Sequence, residues 1–171
     1  GCGMIGIGVA LAALQKKATV IVLDIDEKKL KLMRSFGVHH TINNTREDAV
    51  KRINEITHGE GADVCIEAVG TAATYRLALE ASSFAGRIVF IGYAHVDISL
   101  NTSLIVKKEL DIMGSRNALS EFKDVVLMLE EKKFDYKKLI SSVYKMKNVN
   151  DAFLYWKDNP GKVIKILTEI E

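Results

Sequence analysis

The chain has 171 residues, 48% of them hydrophobic, and a formal net charge of +2. That length suits one domain or one and a half, with enough apolar mass for a real core. The lysines are spread over helix faces and form no basic arm, and no apolar run nears a membrane span, so neither nucleic acid nor membrane is expected as a partner.

In chain order, the first six residues, Gly1-Cys2-Gly3-Met4-Ile5-Gly6, read G-x-G-x-x-G. Alone the pattern is weak. Its context makes it a candidate dinucleotide loop, because a helix, a strand and an acid ~20 residues on should follow. Residues 4–17 read as a helix, with Ile5, Val9, Ala12 and Ala13 at near-helical spacing. Residues 19–23 (TVIVL) suit a buried parallel strand, which Asp24 ends. Gly1 permits the tight turn, Gly3 lets a pyrophosphate approach the backbone, and Gly6 lets the helix lie close on the sheet. The helix start at Met4 and Ile5 offers free N–H groups and a positive dipole end. Asp24 would accept from the adenosine ribose hydroxyls. Ile25, where an Arg could have paired a 2′-phosphate, argues for NAD over NADP.

Asp26 is a candidate N-cap for a helix over 27–36, with Leu30, Met33 and Phe36 inward and Gly37 as a left-handed cap. Lys29 lies one turn in, on the ribose side; a ribose contact and a solvated lysine are equally open. Residues 38–42 form a strand on which His39 and His40 face opposite ways, so they do not suit one metal. Thr45 opens a helix to residue 56, with Asp48 completing a box-like cap.

Residues 62–69 (ADVCIEAV) form the next strand, ended by Gly70. Ligands of open α/β sheets lie beyond the strands' carboxyl ends, which points to Ala68, Val69 and Gly70. A helix over 71–82 follows. A strand over 87–91 then ends at Ile91 and Gly92, a second strand stopping at glycine on the same edge. Residues 98–100 (Ile98, Ser99, Leu100) alternate like a short exposed strand. Residues 102–108 make a helical turn or two, and 110–114 the last strand of this sheet. An amphipathic helix over 119–131 presents Phe122, Val125, Val126 and Leu129 on one face. Residues 139–144 are a strand, 148–156 a helix with Val149, Ala152, Phe153 and Trp156 inward, and 162–168 a closing strand. The alternation predicts an α/β fold, a doubly wound parallel Rossmann sheet.

A glycine loop of this kind follows a central strand, and nothing precedes Gly1. The expectation is a C-terminal part of a longer polypeptide, lacking the strand that would lie between residues 19–23 and 62–69. The closing strand, 162–168, is the expected stand-in within the chain. Cys2 and Cys65 lie far apart and form no C-x-x-C or Cys/His cluster, so both read as small buried thiols and no metal site is expected in these residues. A cytoplasmic location fits this cysteine usage.

The ordered set GCGMIGIGVALAA, IVLDIDEKKL, GADVCIEAVG, GRIVFIG, KKELDIMGS and VNDAFLYWKDNPGKVIKILT resembles the C-terminal half of zinc-type medium-chain alcohol and polyol dehydrogenases, of the sorbitol, threonine and galactonate kind. The resemblance covers nearly all of the chain. It implies a cofactor domain over residues 1–115 and a segment, 116–171, completing the substrate domain. It implies NAD as cofactor, and zinc in the intact enzyme with ligands outside these residues. The ribose-binding acid falls on Asp24 and the ribose lysine on Lys29. The nicotinamide side falls on Val69, Gly70, Ile91, Gly92, Tyr93 and the backbone of Ser115, with Arg116 following where polyol dehydrogenases carry an arginine. Ile164 stands where some relatives place a pyrophosphate-binding Arg, and Lys162 and Lys165 need not replace it. The resemblance implies a small-molecule alcohol substrate, and a homodimer or homotetramer with residues 98–100 at its interface. The function so implied is hydride transfer between NAD and a secondary alcohol or polyol, in an enzyme of which this segment alone is inactive. A non-catalytic nucleotide-binding or redox-sensing module of the same fold is the alternative. A methyltransferase-like enzyme is a third reading, disfavoured because the strand that often carries a polar catalytic motif in such enzymes reads IEAVG here.

Overall fold

The computed structural model describes residues 1–170 and is an α/β protein whose strands all pair in parallel. It divides into two compact units, Gly1–Asn117 and Ala118–Glu171. In the first unit, α1 (Met4–Gln15) leads to β1 (Ile21–Asp24), α2 (Glu27–Ser35), β2 (His40–Asn43), α3 (Ala49–Ile56) and β3 (Ala62–Glu67). Then come α4 (Ala72–Ala81), β4 (Ser82–Phe90), α5 (Thr102–Lys108) and β5 (Asp111–Gly114). The second unit holds α6 (Phe122–Glu130), β6 (Ile140–Lys145), α7 (Val149–Asp158) and β7 (Lys165–Glu169).

The sheet of the first unit is in two pieces, β1-β2 and β3-β4-β5. Asp24 stands opposite Asn43 at the end of the first piece. Glu67 stands opposite Phe90, and Phe90 opposite Gly114, at the end of the second. Among the described residues no ladder joins β1 to β3. One core nevertheless spans both pieces. Ile42, Ala49, Ile53 and Ala81 are buried together, packed by Ile21 and Leu23 of β1 and by Ala62 and Cys65 of β3. A second cluster sets Ala78 and Leu79 of α4 against Ile88 of β4.

Several local expectations hold. The Asp26 side chain accepts from the Lys28 N–H and caps α2, and Gly37 takes φ +85° just after it. His39 Nδ1 accepts from the Val20 N–H, a packing role that separates it from His40 in β2. Others are corrected. The helix expected from Thr45 starts at Ala49, because Asn43 Oδ1 captures both the N–H and the hydroxyl of Thr45. Asp48, whose Oδ1 accepts from the Lys51 N–H at 3.0 Å, is the real cap. β4 begins at Ser82, where Ala62 pairs with Ser82 before a bulge restores the register at Val64 and Arg87. Residues 98–100 run as irregular chain, since an edge strand needs a neighbour and Ser99 O instead accepts from Arg76 Nε.

The closing strand is no stand-in in the first unit's sheet. It is β7, paired in parallel with β6. The inward face expected for α7 is also corrected, and the shared apolar face of α6 is exposed. Phe122 is 76% exposed, Val125, Val126 and Leu129 are exposed too, and of the four α7 residues only Ala152 is buried. A two-stranded sheet in so short a unit encloses little more than Leu139, Ala152 and Val163, so it cannot cover two apolar helix faces.

Lys108 at the end of α5 supports the first unit in a way the sequence did not suggest. Its Nζ donates to the carbonyls of Leu79, Glu80 and Ser82, which satisfies the C-terminus of α4 and favours the cation there. Burial holds the amine below the usual lysine range. Lys108→Met should lower stability by ~1–2 kcal/mol, after allowance for its partial exposure. Urea unfolding measures it, and an unchanged midpoint would count against the capping role.

Candidate functional site

The glycine loop is built by close approach. A Cβ on Gly6 would stand 1.8 Å from Gly1 O, and one on Gly1 would stand 2.6 Å from Val69 Cγ2 and 3.9 Å from Asp24 Oδ2. Gly1 therefore lies at the junction of the two sheet pieces, touching the end of β1 and the turn after β3. Gly3 differs, since a Cβ there would meet nothing within 4 Å. Its backbone faces open space, as a phosphate-binding turn requires. Gly3 is also the extended N-cap of α1, whose first turn has no side-chain cap and no acid. The N–H groups at Met4, Ile5 and Gly6 thus form a positive dipole end that no side chain of the loop occupies. These are the features a dinucleotide pyrophosphate would fit.

Asp24 ties the loop to β1. Its Oδ2 accepts from the Cys2 N–H at 2.5 Å and its Oδ1 from the Asp26 N–H at 2.8 Å. Each carboxylate oxygen keeps a lone pair for a further donor. Asp24 is half-buried, while Ile25 beside it is 67% exposed. Lys29, half-buried on α2, is near enough for its charge to act on the Cys2 thiol.

The ends of β3, β4 and β5 form the other half. Gly70 turns at φ +86°, and a Cβ there would meet the Tyr93 backbone, 2.7 Å from its carbonyl oxygen. Ile91 N and Gly92 N both donate to Glu67 O, at 2.8 and 3.0 Å. Tyr75 Oη donates to Gly92 O at 2.7 Å, and its ring stacks on Phe90 with centroids 4.1 Å apart. Ser115 N donates to Phe90 O, and the Arg116 guanidinium lies 5.3 Å from the centre of the exposed Tyr93 ring. Ala68 is half-buried and Val69 exposed. The expected residues Gly1, Gly6, Asp24, Val69, Gly70, Gly92, Tyr93 and Arg116 are thus linked through successive contacts in one unit. Ile164 belongs to the other unit, where its N–H donates to Ser141 Oγ.

Glu67 is the residue that sequence reasoning missed. It is 4% exposed, and its Oε1 accepts from the N–H groups of Val69 and Gly70 at 2.7 and 2.9 Å. The available signal was a lone acid in the apolar run VCIEAV, three residues before the strand-ending glycine. No three His, Cys, Asp or Glu gather in a metal-holding cluster among the described residues. A surface hollow of about 630 Å³ lies along α3, between Asp48, Lys51, Glu55 and His58, and includes none of the loop residues.

The family model for zinc-binding dehydrogenases matches residues 4–131, and the chain belongs to that family. It is 38% identical over 166 residues to a zinc-type alcohol dehydrogenase-like protein of Haemophilus influenzae, covering 97% of this chain and 48% of the relative. With a sorbitol dehydrogenase of Halalkalibacterium halodurans it shares 29% identity, over 98% of this chain and 49% of the relative. Among solved structures, an Escherichia coli oxidoreductase/dehydrogenase of unknown specificity superposes with a TM-score of 0.94 at 26% identity, over 100% of this chain and 49% of that one. The chain spans about half the length of the curated relatives it matches. No helix among the described residues is long and apolar enough to cross a membrane.

The loop's cysteine reports on how tightly the site is packed. Burial, then the neighbouring Asp24 carboxylate, pushes the Cys2 thiol from 9.0 to about 11, and burial pushes Cys65 to about 11. A raised acid pKa in the folded state stabilises the fold fully below the ordinary value. That stability is lost as pH rises through the folded value, here between about 9 and 11. At pH 8 both thiols should therefore resist iodoacetamide in the native protein and react in denaturant. Native alkylation of Cys2 at the denatured rate would contradict this packing.

Proposed function

We propose that the chain is the NAD(H)-binding portion of a zinc-dependent oxidoreductase acting on a secondary alcohol or polyol. The observation that carries the reading is the Asp24 carboxylate holding the glycine loop at the uncapped start of α1. It joins a phosphate-accepting turn to a ribose-accepting acid in one bonded unit. Family membership supports the dehydrogenase class, and the sorbitol dehydrogenase relative supports the alcohol or polyol substrate.

In this reading the N–H groups at Met4, Ile5 and Gly6 receive the pyrophosphate as it lies over Gly3. Asp24 accepts from the adenosine ribose hydroxyls through its remaining lone pairs, and Lys29 donates from α2. Ile25 offers a 2′-phosphate no cation, and the Asp24 charge repels one, so NAD is preferred. Ala68, Val69, Gly70, Ile91, Gly92 and Tyr93 receive the nicotinamide half, with Ser115 and Arg116 at its border. When bound, the nicotinamide supplies the hydride acceptor or donor. The chain's own contribution is to bind and orient, while the zinc ligands lie outside these 171 residues. Residues 1–115 act as the cofactor domain and 116–171 as part of the substrate domain. The intact enzyme is a homo-oligomer of the cytoplasm.

Asp24→Ala in the full-length protein should weaken NADH by ~10- to 100-fold, the value of one charge-assisted hydrogen bond or two, and reduce the preference over NADPH. Fluorescence titration with both cofactors measures this. Tighter binding of NADPH than NADH by the unmutated protein would refute the cofactor assignment.

A further inference from the structure

Glu67 is a buried carboxylate in the apolar run from Val64 to Val69, with no cation paired to it among the described residues. A buried acid is costly unless its oxygens are used. Oε1 is fully engaged by Val69 N–H and Gly70 N–H. Oε2 is buried without a hydrogen-bond partner, and it sits against Gly92, where a Cβ would come within 2.4 Å of it. The backbone carbonyl of the same residue accepts from Ile91 N–H and Gly92 N–H. One residue thus grips both strand-end turns, Val69–Gly70 by its side chain and Ile91–Gly92 by its main chain. It also packs its second oxygen into their seam.

The seam leaves little tolerance. Gly70 in turn backs onto the Tyr93 main chain, so the three segments stack with no room for a single added carbon. Shortening Glu67 would leave two backbone N–H groups without their acceptor, and they would turn towards water or another oxygen. The turns would then reorient where the cofactor cleft opens. The glycine loop is anchored separately, by Asp24 and by Gly6 against Gly1.

We propose that Glu67 is a positioning residue for the nicotinamide half of the cofactor, acting through the backbones of Val69, Gly70 and Gly92. The proposal rests on the NAD(H)-binding reading above. It separates the two halves of the site, since Asp24 serves the adenosine half and Glu67 the nicotinamide half. Glu67→Gln retains the accepting oxygen at Oε1, and Glu67→Ala removes it.

The test is titration of the full-length protein and both variants with NADH and with ADP-ribose, which lacks the nicotinamide. Loss of two neutral-strength hydrogen bonds corresponds to a ~10-fold weakening of NADH in Glu67→Ala. ADP-ribose should be held as in the unmutated protein, and Glu67→Gln should recover most of the NADH affinity. Should Glu67→Ala not fold, Glu67→Gln is read alone, with a small loss for NADH and none for ADP-ribose. Parallel loss of both ligands, or unchanged NADH binding in every folded variant, overturns the proposal. Failure of the unmutated protein to bind either ligand overturns the cofactor reading itself, a result distinct from both.

Discussion

The structure of the first unit depends on the bond from the Cys2 N–H to the Asp24 carboxylate. α1 has no capping side chain, so its start is fixed by what the preceding glycine loop is bonded to. Asp24 supplies that bond, and it stands at the last position of β1. Its other oxygen takes the Asp26 N–H, and Asp26 in turn caps α2. A single carboxylate therefore registers the loop, the strand and two helix starts against one another. An Asn could make only part of this set, because its amide presents one acceptor oxygen where the carboxylate presents two.

The second constraint is steric. Gly6, Gly70 and Gly92 lie where an added Cβ would strike backbone, and Gly1 where it would strike the Val69 side chain. These contacts gather the ends of β1, β3 and β4 into one surface although no ladder joins β1 to β3. The shared core of Ile21, Leu23, Ala62 and Cys65 with α3 and α4 holds the two sheet pieces from below. The main chain of Gly1 against Val69 holds them at the top. Loop and strand ends are closely packed where the proposed cofactor would lie, and a site already packed in place lowers the ordering cost of binding.

Much of this was legible in the sequence, and for physical reasons. The glycine spacing, the acid ending TVIVL and the two strands stopping at glycine are local signals, and each maps to a contact in the structure. Helix α2 is capped as its sequence indicates, with the Asp26 side chain accepting from the Lys28 N–H. Thr45 misled because Asn43, two residues back, captured its hydroxyl, a competition that a capping pattern does not reveal. The α7 face misled because periodicity reports which residues are apolar, not whether the unit has an interior to receive them. Glu67 escaped notice because its donors lie in the turns it shapes, and its packing against Gly92 is a tertiary contact. The capping of α4 by Lys108, 29 residues on from Leu79, was hidden for the same reason.

The central claim is that the glycine loop and the ends of β1, β3 and β4 form one cofactor surface. The most direct measurement is the change in backbone amide resonances of the full-length protein on addition of NADH. The account predicts shifts at Met4, Ile5, Gly6, Ile25, Gly70 and Tyr93, with the α3 hollow around Lys51 and His58 undisturbed. Shifts confined to that hollow, or saturation by NADH without change at Met4 to Gly6, would contradict it.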